Sequence, residues 1–271
     1  MAEEGDELDR FERALRRYSR LLGLKIDLDL ARKVEAIQER IKRDVAKFME
    51  AKGGLLSSLS DLLARLSDAG LLSAYIVEVG SEIGDEVNPS SAEESLAKAF
   101  EGDVDAKGAR SALLAFQAIA RAYAEAYERA NGIIESTTPY CPLCGSESRT
   151  MVRVGQDMLM VCHVCGYAWR ISKGVLTCPF CGNSNPFTVG VFTDKDRRLG
   201  LAYCQQCGST WRVIFDDDMA SAPRILLPLL ALAAERLRGA LPAGREGSDE
   251  VKDSPGEGDL GYGDNEAKGE Q

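Results

Sequence analysis

The sequence has 271 residues, of which 45% are hydrophobic and 28% charged, as is typical of a globular protein with a sizeable core. Its net charge of −10 lies mostly in the segment from Gly244 to Gln271, which holds three basic and nine acidic residues. The acidic start "MAEEGDELDR" excludes a secretory signal, and the apolar run "ILLPLLALAA" is too short to span a membrane. We therefore expect a cytoplasmic protein with no membrane span.

Apolar residues at spacings of three and four predict a helical N-terminal half. The clearest series run over 8–22, 30–48 and 116–130. The stretch "LLSSLSDLLARL" from Leu55 predicts another helix after the break at Gly53 and Gly54. Pro89, followed by two serines and two glutamates, resembles a helix start of the capping-box type.

From Ser136 the period falls to two, and short strands are predicted between pairs of cysteines. These are "RTMVRVG", "MLMVC", "FTVGVF", "LGLAYC" and "TWRVIF". The stretch "PRILLPLLALAAERLRGAL" then returns to helix, with Pro228 at its first turn or at a kink. A Gly-, Glu- and Asp-rich tail follows, which we expect to be disordered.

The predicted fold class is α+β: an N-terminal all-helical domain, two tandem rubredoxin-like or zinc-ribbon β units, and a C-terminal helix. The predicted boundaries are 1–137 for the helical domain, 138–172 and 173–218 for the two four-cysteine ribbons, 219–242 for the helix and 243–271 for the tail.

All eight cysteines form C-x-x-C pairs, and each pair is followed by glycine. The pairs are Cys141/Cys144, Cys162/Cys165, Cys178/Cys181 and Cys204/Cys207. Two cysteines at this spacing can direct both sulfurs at one metal ion, because the glycine permits the tight turn. A reducing compartment also favours metal over disulfides. The sequence therefore predicts eight thiolate ligands for two mononuclear ions. The ligands alone do not choose between zinc, the default in structural ribbons, and iron, which would make each unit rubredoxin-like.

An internal repeat predicts which pairs share an ion. The first and third pairs read "CPLCG" and "CPFCG", whereas the second and fourth extend to "CHVCGYAWRI" and "CQQCGSTWRV". The chain thus holds one two-pair unit twice, and each unit is expected to close on its own ion rather than on a cross-braced site. Trp169 and Trp211 occupy equivalent positions and should cover the two metal cores.

Other interpretations of these residues are weaker. A redox C-x-x-C of the thioredoxin type needs a βαβ context, and an iron–sulfur cluster fits paired glycine knuckles less well than a mononuclear site. The single histidine, His163, lies inside a knuckle, where a partly exposed side chain is expected rather than a catalytic base. Arg170 and Arg212 could bind an anion or a partner, although solvation at a strand edge is expected by default.

Charge argues against nucleic-acid binding by the ribbons. Positions 138–215 hold eight basic and four acidic residues, and two four-thiolate sites, each adding about −2, would cancel that surplus. An enzyme is also not indicated, because eight cysteines saturate two ions and leave no open coordination position. A protein-binding or assembly role remains.

The motifs "CPLCGSESRTMVRV", "MLMVCHVCGYAWRI", "LTCPFCGNSNPFTVGVF" and "LAYCQQCGSTWRVIF", placed between helical flanks, resemble the formate dehydrogenase accessory protein family, FdhE. The resemblance implies two rubredoxin-like metal sites, with iron implicated and the eight cysteines as ligands. It also implies a non-catalytic maturation factor that acts in the cytoplasm on the catalytic subunit of molybdenum- or tungsten-dependent formate dehydrogenases. A nucleic-acid-associated zinc-ribbon protein and a rubredoxin-like electron carrier are the alternatives, and the oligomeric state is left open.

Overall fold

The structure is a computed structural model that describes residue 16 and residues 27–103, 105–171, 177–220, 224 and 227–240. Apart from residue 16, the predicted helix at 8–22 lies outside these residues, as does the predicted tail at 243–271. None of the described helices has both the length and the apolar character needed to cross a membrane.

Before the first cysteine pair, five α-helices of the described chain form what we call the helical body. They are α1 (Leu28–Ala51), α2 (Leu59–Asp68), α3 (Leu71–Ile83), α4 (Ala92–Phe100) and α5 (Ala109–Asn131). Helix α5 packs against α1, α3 and α4. Its inner face carries fully buried alanines such as Ala112, Ala115 and Ala118, whose small side chains allow close approach of the neighbouring helices.

The helix starts follow local capping chemistry. The Asp27 carboxylate accepts hydrogen bonds from the backbone N–H groups of Asp29 and Leu30, which starts α1. Helix α2 begins at Leu59 rather than near Leu55, because the Ser58 hydroxyl accepts the N–H of Asp61 at 3.1 Å.

The predicted capping box before α4 does not form. The Ser91 side chain makes no capping bond. Instead, Asn88 accepts the N–H of Ser90 and caps a 3-10 turn over Pro89–Ser91, and α4 continues from that turn.

A buried ion cluster joins α1 to α5. The Arg121 guanidinium contacts Glu35 at 3.1 Å and Glu39 at 2.6 Å. Burial raises the pKa of Glu35 even though Arg121 opposes that shift. Because a buried charge requires a partner, this cluster fixes how the two helices pack together.

After the helical body, seven strands of the described chain form one sheet in the order β1-β4-β3-β2-β7-β6-β5. They are β1 (Glu135–Ser136), β2 (Thr150–Val154), β3 (Asp157–Val161), β4 (Ala168–Ile171), β5 (Val189–Thr193), β6 (Leu199–Cys204) and β7 (Thr210–Ile214). Strands β2–β4 form the first ribbon and strands β5–β7 the second. Within each ribbon neighbouring strands are antiparallel, whereas β2 pairs with β7 in parallel and joins the two ribbons.

The ribbons are related head to tail. Strand β4 of the first ribbon corresponds to β7 of the second, and β2 corresponds to β5, so the sheet reads as one three-strand unit repeated along it. The short strand β1 pairs in parallel with the outer edge of β4. Among the described strands, β5 forms the opposite edge of the sheet.

The two faces of the sheet contact different layers, as the alternation of side chains in a strand requires. Met151, Met160, Trp169 and Trp211 belong to the apolar cluster that includes the helical body. Their strand neighbours point the other way, into a second cluster with Leu227, Leu230, Ala231 and Ala234.

The C-terminal helical stretch covers that second face in short pieces. It consists of α6 (Asp217–Ala220), α7 (Leu227–Ala231) and a 3-10 helix (Leu232–Ala240). Pro228 lies in the first turn of α7, where proline needs no hydrogen-bonded N–H.

Candidate metal centres

Each C-x-x-C pair folds into the same turn. The N–H of the glycine after the pair donates to the carbonyl oxygen of the first cysteine at 2.9 to 3.1 Å in all four turns. The glycines have φ between 70° and 75°, a conformation that disfavours other residues. They are Gly145, Gly166, Gly182 and Gly208. This shared turn brings both sulfurs of a pair to the same side.

The turns bring the sulfurs together in two groups of four. The first group contains Cys141, Cys144, Cys162 and Cys165, and the second contains Cys178, Cys181, Cys204 and Cys207. Within each group every sulfur lies within 4.8 Å of the others. These groups match the pairing that the internal repeat predicts, one group in each ribbon.

The spacing of the sulfurs fits a tetrahedral thiolate site. Across the knuckles the Sγ–Sγ distances are 3.6 Å for Cys141–Cys165 and 3.4 Å for Cys144–Cys162. In the second group they are 3.6 Å for Cys178–Cys207 and 3.7 Å for Cys181–Cys204. Metal–sulfur bonds of about 2.3 Å place tetrahedral sulfurs about 3.8 Å apart, whereas a disulfide requires about 2.05 Å. Each group could therefore hold one metal ion.

The charge of the groups also calls for a cation. Mutual contact among the four thiols of the first group raises the pKa of Cys162 and Cys165 and lowers the pKa of Cys141 and Cys144. Four sulfurs this close do not all ionise without a compensating positive charge. A bound metal ion would supply that charge and hold all four as thiolates.

Hydrogen bonds to sulfur support the thiolate form. The backbone N–H groups of Val164 and Cys165 donate to Cys162 Sγ at 3.3 Å and 3.5 Å. In the second ribbon Asn183 Nδ2 donates to Cys204 Sγ at 3.5 Å. Burial opposes ionisation of Cys204, but this amide and two backbone N–H groups outweigh it and lower its pKa to about 7.

Both tryptophans are buried in the ribbon cores, as predicted. Trp169 is 0% and Trp211 1% exposed, and Trp169 Nε1 donates to the Thr138 carbonyl at 3.2 Å. Trp211 packs against Phe180, the residue just before Cys181, with ring centroids 6.3 Å apart. The tryptophans supply the apolar mass that such small units otherwise lack.

The other residues that the sequence singled out lie apart from the sulfurs' coordination space. His163 is exposed at the tip of its knuckle. Arg170 contacts Asp157 at 2.9 Å and Arg212 contacts Glu235 at 2.6 Å. Both arginines are thus engaged in ion pairs within the chain, rather than only solvated at a strand edge.

Sequence analysis missed three residues around the sites: Tyr167, Asn183 and Phe187. Tyr167 is buried against the helical body, Asn183 donates to a sulfur, and Phe187 is 89% exposed. The signal that could have found them is the set of differences between the repeats. The first copy has Tyr167 where the second has Ser209, and the loop before β5 is two residues longer than the loop before β2.

This architecture is similar to that of a known protein. No family model and no curated protein matches the chain. The structure is similar to the crystal structure of the FdhE protein from Pseudomonas aeruginosa, with a TM-score of 0.57 over 87% of this chain and 92% of that one. The chain has an FdhE-like fold. Its sequence identity to that FdhE protein is 16%, so the similarity shows a shared fold and does not show a shared activity.

The FdhE-like fold extends over almost the whole chain, and thus over the helical body as well as the ribbons. This extent confirms, at the level of fold, the resemblance that the cysteine motifs indicated. Tandem metal ribbons alone would not produce it, because the ribbon residues account for less than a third of the chain.

Proposed function

We propose that this chain is a non-catalytic accessory factor of the cytoplasm. It binds the catalytic subunit of a molybdenum- or tungsten-dependent formate dehydrogenase and assists its assembly or activation. The observation that carries this proposal is the FdhE-like fold over 87% of the chain, combined with two four-cysteine groups in the ribbons.

The proposal includes the metal. All eight cysteines are the ligands of two mononuclear ions, zinc or iron, with four thiolates around each. The sulfur spacing and the N–H groups aimed at sulfur support this assignment. A bound ion with four protein ligands has no open position for substrate, which supports a binding role over a catalytic one.

The arginines of the ribbons support a protein partner over a nucleic acid. Phosphate recognition needs cationic side chains that are available to the ligand. Five of the ribbon arginines already contact acidic groups: Arg149 with Glu147, Arg153 with Asp217, Arg170 with Asp157, Arg198 with Asp216, and Arg212 with Glu235.

Phe187 is the best candidate for a contact with the catalytic subunit. It lies in the longer loop before β5, where side-chain oxygens of Asn183 and Asn185 accept the N–H groups of Asn185 and Phe187 at 3.0 Å. These two Asx turns order the backbone at Phe187, whose ring is exposed. Aromatic side chains are common anchor residues of protein interfaces.

The test is a pull-down with the tagged chain from its native host under anaerobic conditions, with bound proteins identified by mass spectrometry. We expect a molybdopterin-type formate dehydrogenase catalytic subunit to be retained, and to be lost when Cys178 and Cys181 are changed to serine. Recovery of nucleic acid or of ribosomal and transcription proteins, without such a subunit, would overturn the proposal.

A matched pair of variants tests the contact itself. Phe187→Ala should weaken retention of the catalytic subunit on the order of tenfold, as expected for an interface anchor. Phe100→Ala removes another exposed aromatic ring, on α4 of the helical body, and should leave retention unchanged. Equal effects of the two changes would contradict the role of Phe187.

A further inference from the structure

The two sulfur groups differ in their access to solvent. In the first group Cys141, Cys162 and Cys165 are buried and Cys144 is half-buried. In the second group Cys178 and Cys204 are buried, whereas Cys181 and Cys207 are exposed. The two copies of the unit thus differ: one group has no exposed cysteine, and the other has two.

Two positions that differ between the repeats also differ in exposure. The second knuckle of the first ribbon reads C-H-V-C-G-Y, and its counterpart reads C-Q-Q-C-G-S. Val164 and Tyr167 are 8% and 1% exposed. Their counterparts are Gln206, which is exposed, and Ser209, which is half-buried.

Tyr167 ties the first knuckle to the helical body. Its ring packs edge-on against Tyr127 of α5, with centroids 6.1 Å apart. Its hydroxyl donates to the Gly132 carbonyl at 3.2 Å and accepts the N–H of Ile134 at 3.0 Å. These contacts hold the first knuckle against the end of α5.

We propose that Cys181 and Cys207 form a modification site for oxidants of the peroxide class, and that the second metal site is exchangeable while the first is permanent. This inference rests on the proposed loading of both sites with metal. The proposal follows from the exposure of Cys181 and Cys207 to solvent, because a thiolate is oxidised only where the oxidant can reach its sulfur.

The chemistry needs only the thiolates and the peroxide. One exposed thiolate attacks a peroxide oxygen, the O–O bond breaks, and a sulfenic acid and one hydroxide form. A second thiolate of the group then attacks that sulfur, and a disulfide and another hydroxide form. Two electrons pass from two sulfurs to one peroxide.

Neighbouring sulfurs are in reach for the second step. Cys178 lies 3.6 Å from Cys207, and Cys204 lies 3.7 Å from Cys181. A disulfide removes two of the four ligands, so the site loses its ion.

The experiment uses the full chain loaded with zinc, because zinc has no redox chemistry and any electrons must come from sulfur. Bound zinc is counted first, hydrogen peroxide is added, and zinc release is followed with a colorimetric chelator. Peptide mass spectrometry then locates the oxidised cysteines.

We expect two bound ions, of which one is released on the order of tenfold faster than the other. The early disulfide should contain Cys181 or Cys207, and a dithiol reductant with added zinc should restore the site. Equal release from both sites, earlier oxidation of Cys141 or Cys144, or fewer than two bound ions would each overturn the inference. None of these outcomes depends on a partner protein, so the proposed docking role is judged separately.

Two variants, each carrying the residue of the other repeat, test why the two sites release zinc at different rates. Gln206→Val should slow release from the second site, since an apolar residue beside the exposed sulfurs limits access of the oxidant. Val164→Gln should speed release from the first site. If Val164→Gln does not fold, the wild-type chain and Gln206→Val still decide the question, and an unchanged rate in Gln206→Val contradicts the role given to that position.

Discussion

Tyr167 shows how one side chain can distinguish two copies of the same unit. Its position in the second ribbon is taken by Ser209, a much smaller and half-buried side chain. The buried ring and the two hydrogen bonds of its hydroxyl connect the first knuckle to the end of α5 and the segment after it.

Tyr167→Phe should destabilise the chain by about 1–3 kcal/mol, because it leaves the Ile134 N–H and the Gly132 carbonyl without their partner. Urea unfolding followed by circular dichroism measures the change. Tyr140→Phe, at a tyrosine that is 54% exposed, is the control and should have little effect. A loss in Tyr167→Phe no greater than in the control would show that the hydroxyl does not tie the knuckle.

For single residues, the sequence predicted the candidate metal ligands well and the residues around them less well. The eight cysteines, their grouping and the burial of both tryptophans follow from spacing and repetition. Metal binding itself stays a prediction. The exposure of Cys181 and Cys207 could not be predicted from spacing, because it depends on which neighbours a knuckle contacts in three dimensions.

Among the elements, the strands were the best predicted. The stretch "LGLAYC" coincides with β6, and the other predicted strands differ from β2, β3, β5 and β7 by one or two residues. Strands β1 and β4 have no counterpart among the predicted strand stretches, because two and four residues are too few to show a period of two. The start of α2 was placed too early, since apolar spacing continues through Leu55 and Leu56 although the Ser58 cap sets the boundary.

The 3-10 helix at Leu232–Ala240 is held to the sheet by a charged contact. Glu235 accepts from Arg212 of β7 at 2.6 Å and also from Arg238. Burial opposes ionisation of Glu235, but these two arginines outweigh it and lower its pKa below the ordinary value.

The lowered pKa of Glu235 means that its charge stabilises the folded chain more at neutral than at acidic pH. The ionised Glu235 stabilises the folded chain above its ordinary pKa of 4.5, and that contribution is lost as the pH falls through the lower, folded value. Glu235→Gln should therefore be less stable than the wild type at pH 7, and the difference should shrink below about pH 4.5.

Thermal unfolding across this pH range measures the effect. Glu82→Gln, at an exposed position of α3, is the control and should follow the wild type throughout. A difference between Glu235→Gln and the wild type that stays constant with pH would show that the charge of Glu235 is not responsible.

At the scale of the whole molecule, the apolar cluster is continuous from the helical body to both tryptophans. The sequence pattern predicted a helical half and a ribbon half as separate domains, and the boundaries of these domains remain predictions. Composition and period could not reveal that the two ribbons share one sheet, because the pairing of β2 with β7 joins residues about 60 positions apart.

Removal of the metal should unfold the ribbons first. Four-cysteine sites contribute about 10–16 kcal/mol in small zinc peptides, which matches the whole stability of a domain. Both tryptophans of the chain lie in ribbon strands, so tryptophan fluorescence reports on the ribbons and their contact with the helical body. Circular dichroism at 222 nm reports mainly on the helical body. A strong chelator should shift the fluorescence to that of exposed tryptophan and retain most of the helical signal, with a lower melting temperature. Unchanged fluorescence after complete metal removal would contradict the prediction.

The head-to-tail pairing of the ribbons has a consequence for how duplicated units diverge. A two-fold arrangement gives both copies the same neighbours, and selection then acts on both alike. Two copies related by translation along a sheet have different neighbours. The first ribbon is flanked by β1 and by the second ribbon, whereas among the described strands the second ribbon has a neighbour on one side only. The two copies therefore occupy unequal environments in the sheet, whatever their residues. The asymmetry follows from the topology, and the difference between Tyr167 and Ser209 adds to it.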